Sequence, residues 1–270
     1  MSIVSTLRIL ASQRPSLPSR AIAAPARVER RRPRHVPVTW IDAPLAATAT
    51  IVHLHGGGYV RGESPNHWGW VEEVGRRSGA ATAMVHYRMP PRHPFPAAIE
   101  DVLHALDAMA EESLLRPGRW VLSGDSAGGG LALAVAQTLA HSGGDIPALL
   151  LLESPWADLT VQVDEESDHG TAARLYAGTV PADNPRISPL LGDLGTLPPV
   201  HLVTGSQDPF VTDSRRLHEG IAAAGGEVEY LEVAGAGHDP AVLASGPTGQ
   251  AARRSQIEAV RAGLGLRASV

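Results

Sequence analysis

Short apolar segments alternate with helix-forming segments along most of this chain, and this alternation restricts the folds open to it. Segments rich in β-branched or aliphatic residues predict strands at 37–41, 50–55, 80–87, 119–124, 148–154, 199–205 and 227–233. Helical spacing or small-residue runs predict helices at 67–77, 97–111, 126–141, 212–224 and 250–264. Nearly continuous apolar strands separated by helices predict a mostly parallel sheet with helices on both faces. A ligand site is expected at the carboxyl ends of the strands.

Length and composition favour a single α/β domain. The chain has 270 residues, of which 43% are hydrophobic and 19% charged, enough for a large core and too little charge for disorder. We therefore predict one domain over 1–270. Within this domain, residues 156–198 interrupt the alternation of strands and helices. This segment is rich in acids, Pro and Gly around a short predicted helix at 172–177, which predicts an insertion over the ligand site. Residues 1–34 are predicted to form an N-terminal lid segment; a transit peptide is the alternative.

Charge and cysteine content exclude several functions. A net charge of −5 gives no field that would recruit nucleic acid or anionic lipid. The absence of Cys excludes disulfides, thiolate nucleophiles and Cys-ligated metals. No apolar run approaches the length of about 20 residues that a membrane helix needs, and no signal-peptide core is apparent. These observations predict a soluble, cytoplasmic protein without a nucleic-acid or membrane partner.

One serine lies in a turn that suits a nucleophile. Residues 124–128 read GDSAG, which fits G-x-S-x-G, and they lie between a predicted strand and a predicted helix. In that turn small residues must flank the serine, and Ser126 is held exposed above the sheet, near the helix N-terminus. A Gly-rich phosphate loop is the alternative, but the chain contains no Lys, which excludes the Walker type.

A glycine run upstream supplies a second motif. The sequence HLHGGGYV at 53–60 places three glycines directly after a predicted strand. Backbone N–H groups approach a substrate closely where no side chain intervenes. We predict that the N–H groups of Gly57, Gly58 and Ala127 form the oxyanion hole, with Gly56 as the reserve.

A serine hydroxyl needs a base, and the chain order serine, acid, histidine identifies candidates. The histidines after the serine are His141, His169, His201, His218 and His238. The first four fall in predicted helices, a strand or the insertion. Only His238 lies in a loop after the last predicted strand. Asp208, just beyond the preceding strand, is the predicted acid that orients the imidazole, whereas Asp213 more plausibly caps the next helix.

Further motifs stand in order around these residues. They are HGGGYVRG, YRMPPRHPFPAAIED at 87–101, GDSAGGGLAL at 124–133, SPWADLT at 154–160, ISPLLGDL at 187–194, LPPVHLVTGSQD at 197–208 and AGHD. With them the chain resembles the hormone-sensitive-lipase family of α/β-hydrolases, also called bacterial esterase family IV, over residues 36–240. The resemblance implies the α/β-hydrolase fold and a triad of Ser126, Asp208 and His238. It also implies hydrolysis of small acyl esters without a cofactor.

The chain departs from the family pattern at several positions. The family reads close to YRLAPEHPFPA, whereas this chain has Pro90, Pro91 and Arg92 in place of the small residue, Pro and acid. The segment after DLT is shorter than usual, which predicts a reduced cap and a more open pocket. Asp239 follows the histidine where the family has an aromatic or aliphatic residue. Some relatives dimerise, so a homodimer is compatible with the resemblance, although no sequence patch marks an interface.

Three residues near the predicted site are candidates for substrate binding. Tyr59 and Trp156 are predicted to line an acyl or alcohol pocket, with core packing as the alternative. Glu153 ends a strand where the family has an apolar residue, and it either contacts substrate or is satisfied by loop N–H groups. His53 and His55 alternate onto one strand face, but no third ligand is apparent, so we predict no metal site.

Together these features predict a serine carboxylesterase. The expected substrates are short-chain acyl esters, lactones or an acetylated small metabolite. One alternative uses the same triad for acyl transfer, cyclisation or lactone opening on a dedicated pathway substrate. A second alternative is a ligand-binding protein of this fold without catalysis.

Overall fold

A computed structural model describes residues 3–161 and 167–266. Residues 1–2 of the predicted N-terminal segment and 162–166 of the predicted insertion lie outside the described residues, as do 267–270. Within the described residues, eight strands form one sheet. They are β1 (Val28–Arg31), β2 (Val38–Ile41), β3 (Thr50–Leu54), β4 (Ala81–Val85), β5 (Trp120–Asp125), β6 (Leu149–Glu153), β7 (Val200–Gly205) and β8 (Val228–Val233).

The strand order is β1-β2-β4-β3-β5-β6-β7-β8. The pairs β1–β2 and β2–β4 are antiparallel, and every pair from β4–β3 to β7–β8 is parallel. The prediction of a mostly parallel sheet is therefore confirmed. The sequence did not predict β1, because its residues VERR are largely charged and it is an edge strand that pairs only with β2.

Helices follow most of the parallel strands. They are α1 (Ile3–Ser12), α2 (Pro65–Ser78), α3 (Ala97–Glu111), α4 (Ser126–Ser142), α5 (Asp168–Ala177), α6 (Val211–Ala223), α7 (Pro240–Leu243) and α8 (Gly246–Gly263), with 3₁₀ turns at Pro25–Arg27, Pro33–His35, Ala43–Ala47 and Pro189–Leu191. The helix predicted at 172–177 begins earlier because Ser167 Oγ accepts a hydrogen bond from the Gly170 N–H and caps it. Over the part of the chain that the structure describes, no helix combines the length and apolar character needed to cross a membrane.

Two apolar cores lie on opposite faces of the sheet because successive strand residues point to opposite sides. Val52 and Leu54 of β3 pack in the core beneath α3, α4 and α6, whereas Ile51 packs in the core beneath α2 and α8. Helices on both faces are thus confirmed. Because helices pack on both faces of the sheet, the carboxyl ends of β3, β5, β7 and β8 are fixed relative to one another. The loops that follow these strands meet at this edge of the sheet.

Candidate active site

The turn between β5 and α4 holds Ser126 in a strained conformation. Its φ is +51°, a left-handed value that non-glycine residues rarely adopt. A Cβ on Gly124 would lie 2.2 Å from the Gly128 carbonyl oxygen, and one on Gly128 would lie 2.0 Å from the Leu54 carbonyl oxygen. Only glycine fits at these two positions, so the flanking glycines allow the tight turn that presents the serine.

The loops after β7 and β8 bring the predicted acid and base to this serine. His238 Nε2 lies 2.9 Å from Ser126 Oγ. On the other side of the ring, His238 Nδ1 lies 3.0 Å from Asp208 Oδ2 and 3.1 Å from Oδ1. Ser126, Asp208 and His238 therefore form one continuous hydrogen-bonded line, although Ser126 and His238 are 112 positions apart in the sequence.

Asp208 is suited to remain ionised in this arrangement. Burial alone would raise the pKa of its carboxyl, but the hydrogen bond and charge of His238 outweigh burial and hold the pKa below its usual range. The Phe210 N–H donates a further hydrogen bond of 2.7 Å to Oδ1. An ionised Asp208 keeps the proton on Nδ1, which leaves the Nε2 lone pair of His238 facing the serine hydroxyl.

The glycine loop after β3 lies beside the serine in a conformation that requires glycine. Gly57 and Gly58 have φ values of +121° and +61°. A Cβ on Gly57 would lie 2.4 Å from the Arg61 carbonyl oxygen. The Gly56 N–H donates to Asp125 Oδ1 at 3.0 Å, so the reserve oxyanion donor is engaged. No hydrogen bond joins the N–H of Gly57 or Gly58 to another described residue.

Asp125 links the nucleophile turn to the glycine loop, and sequence reasoning missed this role. Besides the Gly56 N–H, its carboxylate contacts His67 Nε2 at 3.0 Å and His53 Nε2 at 3.1 Å. His67 accepts the Ser64 N–H on Nδ1, so its Nε2 donates to the carboxylate. Asp125 is the variable residue of the G-x-S-x-G motif, and no local pattern pairs it with a histidine 58 positions away.

Ser126 faces a cavity of about 360 Å³. The cavity combines glycine backbone with polar and ionisable side chains, and the helix α5 of the predicted insertion forms part of its wall. Its lining residues are Gly57, Gly58, Val60, Arg61, His67, Asp125, Ser126, Asp168, His169, Ala172, His238, Asp239 and Leu243. A small site of this kind, with apolar and ionisable side chains in its wall, fits a compact ligand.

The predicted aromatic contacts lie one layer behind this cavity. Tyr59 and Trp156 are each 1% exposed, and neither lines the cavity among the described residues. Tyr59 stacks on Tyr176 with ring centroids 3.8 Å apart. Trp156 stacks on Phe210 at 5.3 Å, and Phe210 in turn contacts the His238 ring edge-on at 5.4 Å. These aromatic rings support the site from behind, and direct substrate contact by Tyr59 or Trp156 stays a prediction.

Glu153 also lies behind the cavity rather than in its wall. It is 2% exposed and accepts hydrogen bonds from the Ala241 N–H and from Gln256 Nε2. Gln256 Oε1 accepts the Trp70 indole N–H at 2.7 Å. The oxygens of the Glu153 carboxyl group therefore accept hydrogen bonds from the loop and helix that follow His238. This corresponds to the alternative given above, in which loop N–H groups rather than substrate bind the carboxyl group.

His53 and His55 both contact the backbone or side chains around the glycine loop. His53 Nδ1 lies 2.7 Å from Ser123 Oγ, and His55 Nδ1 lies 2.8 Å from the Gly56 carbonyl oxygen. The His55 ring also stacks on Tyr87 at 4.5 Å. In the residues that the structure describes, no group of three or more His, Asp or Glu side chains is arranged to hold a metal ion.

Comparison with known proteins agrees with this fold and geometry. The model of a protein family that is described as alpha/beta hydrolase fold matches residues 51–241. The chain belongs to this α/β-hydrolase family. The hydrolase is 36% identical over 211 residues to an acetyl-hydrolase of Streptomyces hygroscopicus, a match that covers 73% of the hydrolase and 70% of that relative.

Solved structures of esterases superpose on nearly the whole hydrolase. A crystal structure of EstE5, soaked by ethyl alcohol, superposes with a TM-score of 0.85 at 29% identity, over 98% of the hydrolase and 93% of that chain. An esterase from the bacterial hormone-sensitive lipase family superposes with a TM-score of 0.80 at 27% identity, over 98% and 99% of the two chains. The predicted membership of this family of carboxylic ester hydrolases is confirmed.

Proposed function

We propose that this hydrolase is a serine carboxylesterase that cleaves short-chain acyl esters through Ser126, His238 and Asp208. The observation that carries the proposal is the line from Ser126 Oγ to His238 Nε2 at 2.9 Å and from His238 Nδ1 to Asp208 at 3.0 Å. This is the order of contacts that nucleophilic catalysis by a serine requires.

The proposed reaction runs in two halves. As Ser126 Oγ attacks the ester carbonyl carbon, His238 Nε2 takes the hydroxyl proton, and Asp208 stabilises the imidazolium. The N–H groups of Gly57, Gly58 and Ala127 bind the oxyanion of the tetrahedral intermediate. His238 then gives its proton to the leaving alcohol oxygen as the C–O bond breaks. Water, deprotonated by the same histidine, hydrolyses the acyl-enzyme and regenerates the serine.

The size and cover of the cavity favour small substrates. About 360 Å³ lies at the low end of the range for small-molecule sites. His169 and Ala172 of α5 form one wall, so we assign the segment 156–198 to a short cap over the site. The name of the Streptomyces relative, an acetyl-hydrolase, agrees with a short acyl group.

The test is hydrolysis of p-nitrophenyl esters from acetate to palmitate by the wild type and Ser126→Ala. We expect faster turnover of acetate and butyrate esters than of long-chain esters, and a loss of roughly 1,000-fold or more in the variant because the nucleophile is removed. Ser142→Ala, an exposed serine in the last turn of α4, is the matched control. Retained activity in Ser126→Ala would refute the nucleophile, and preference for palmitate would refute the short-chain assignment.

A dedicated pathway substrate would give a different result. Inertness towards all the simple esters, combined with labelling of Ser126 by an organophosphorus probe, would favour acyl transfer, cyclisation or lactone opening with the same residues. Absence of both hydrolysis and labelling would favour a binding protein.

A further inference from the structure

Asp239 occupies an unusual place for a carboxyl group. It directly follows His238 with φ +49°, and its backbone N–H donates to Ser154 Oγ at 3.1 Å. Its backbone carbonyl accepts the N–H groups of Val242 and Leu243, which starts α7. These bonds hold the left-handed turn and direct the side chain towards the cavity, where Oδ2 lies 3.1 Å from His238 Nε2.

The carboxyl group of Asp239 is buried and only partly satisfied. The residue is 3% exposed, and Oδ1 has no hydrogen-bond partner among the described residues. Leaving a buried polar atom unpaired is unfavourable, so such an atom calls for an explanation. Asp239 lines the same cavity as Ser126, so a ligand bound there can contact its carboxyl group.

We propose that Asp239 is a specificity residue that hydrogen-bonds a hydroxyl group of the leaving alcohol. The preferred substrates are then short-chain acyl esters of diols or polyols that carry a free hydroxyl beside the ester. This inference rests on the proposed esterase function and names its substrate class.

Geometry places Asp239 on the alcohol side of the ester. His238 Nε2 must deliver its proton to the leaving oxygen, so that oxygen lies within hydrogen-bond distance of Nε2 in the transition state. Asp239 Oδ2 is 3.1 Å from the same nitrogen. A hydroxyl two carbons from the ester oxygen lies about one hydrogen-bond length from it, within reach of the carboxyl group.

The protonation state of Asp239 suits a hydroxyl. Burial, together with the neighbouring carboxylates of Asp125, Glu153 and Asp208, raises the pKa of Asp239 well above its usual range. A neutral carboxylic acid keeps an oxygen that accepts a hydrogen bond from an alcohol O–H. A methyl group in the same position would leave the buried acid unpaired, so the site discriminates against it.

The experiment compares 2-hydroxyethyl acetate with propyl acetate, which differ by OH in place of CH₃. In the wild type we expect kcat/KM to favour the hydroxylated ester by roughly tenfold or more. Asp239→Ala should bring this ratio close to one. Asp239→Asn should retain most of the ratio, because the amide also donates and accepts and Asn tolerates a positive φ. Leu243→Ala, which alters the same cavity wall without touching a polar group, should leave the ratio within about threefold.

Several results would overturn the inference. A wild-type ratio near one, or an unchanged ratio in Asp239→Ala, would remove Asp239 as the selector. A preference for ethyl glycolate over ethyl propionate, without one between the two acetates, would move the hydroxyl to the acyl side and refute the alcohol assignment. If Ser126-dependent hydrolysis of p-nitrophenyl acetate is present, these failures concern Asp239 alone; if it is absent, the proposed function fails as well.

Discussion

Asp213 is a buried carboxyl whose ionisation opposes folding. Its Oδ2 accepts the N–H groups of Ala157 and Asp158, both at 3.0 Å, and so fixes the loop after β6. Burial, the largest cause, raises the pKa of Asp213 from 3.8 to about 6. Between these values the unfolded chain has lost the proton that the folded chain still binds. The contribution of Asp213 to the free energy of unfolding therefore falls as pH rises from about 4 to 6, and then stays constant.

Replacing Asp213 by Asn removes this titration while keeping an oxygen that accepts the two N–H groups. We expect Asp213→Asn to match the wild type near pH 4 and to exceed it by about 1–3 kcal/mol in free energy of unfolding at pH 7.5. Urea unfolding at pH 4, 5, 6 and 7.5 measures the difference. Asp183→Asn, at an exposed carboxyl, is the control. A difference that does not grow with pH would contradict the assignment.

Among the secondary-structure elements, α7 is held by the chain of hydrogen bonds that links it to β6, α8 and α2. Glu153 at the end of β6 accepts the Ala241 N–H of α7 and the Gln256 amide of α8, and Gln256 accepts the Trp70 indole N–H of α2. The Ala241 N–H, the Gln256 amide nitrogen and the Trp70 indole each donate to an acceptor in this buried chain. Because α7 begins two residues after His238, the chain of bonds also positions the proposed base.

Exchanging the two side chains tests this linkage. In Glu153→Gln the new NH₂ group faces the NH₂ group of Gln256, which should cost about 1–3 kcal/mol and lower kcat. In the double variant E153Q/Q256E the new carboxylate at position 256 accepts from both the new amide at position 153 and the Trp70 indole, so most of the loss should be recovered. A double-mutant cycle of urea unfolding and kcat measures the coupling. Additive losses in the double variant would mean that the two side chains do not act as a pair.

For the whole molecule, the parallel sheet explains how much the sequence could predict. The carboxyl ends of parallel strands share one edge, so the predicted strands already placed Ser126, Asp208 and His238 on the same edge of the sheet. The chain order serine, acid, histidine then selected these residues among the other candidates. The contact of Asp125 with His67 did not follow, because it joins the last residue of β5 to the first turn of a distant helix, α2. Likewise β1 carries no apolar pattern, since three of its four residues are charged.

The N-terminal segment also connects to the site through contacts that no local pattern predicts. Gln13 Nε2 donates to the carbonyl oxygens of Val60 and Pro90 at 2.9 and 2.6 Å. Ser16 donates through its N–H and Oγ to Glu63, which follows the glycine loop. Burial alone would raise the pKa of Glu63, but hydrogen bonds and the nearby histidines lower it to about 2, so this buried carboxylate stays charged and needs its donors.

We therefore expect the segment to stabilise the glycine loop that holds the proposed oxyanion donors. A chain lacking residues 1–17 should keep the far-UV circular dichroism of the sheet, lose about 1–3 kcal/mol in free energy of unfolding and lose roughly tenfold in kcat towards p-nitrophenyl acetate, because Glu63 loses its Ser16 donors. In the full chain, Gln13→Ala with Ser16→Ala should give a smaller loss of the same kind, and Arg14→Ala, at an exposed neighbour, should give none. Unchanged kcat and stability in the shortened chain would mean that the segment does not support the loop.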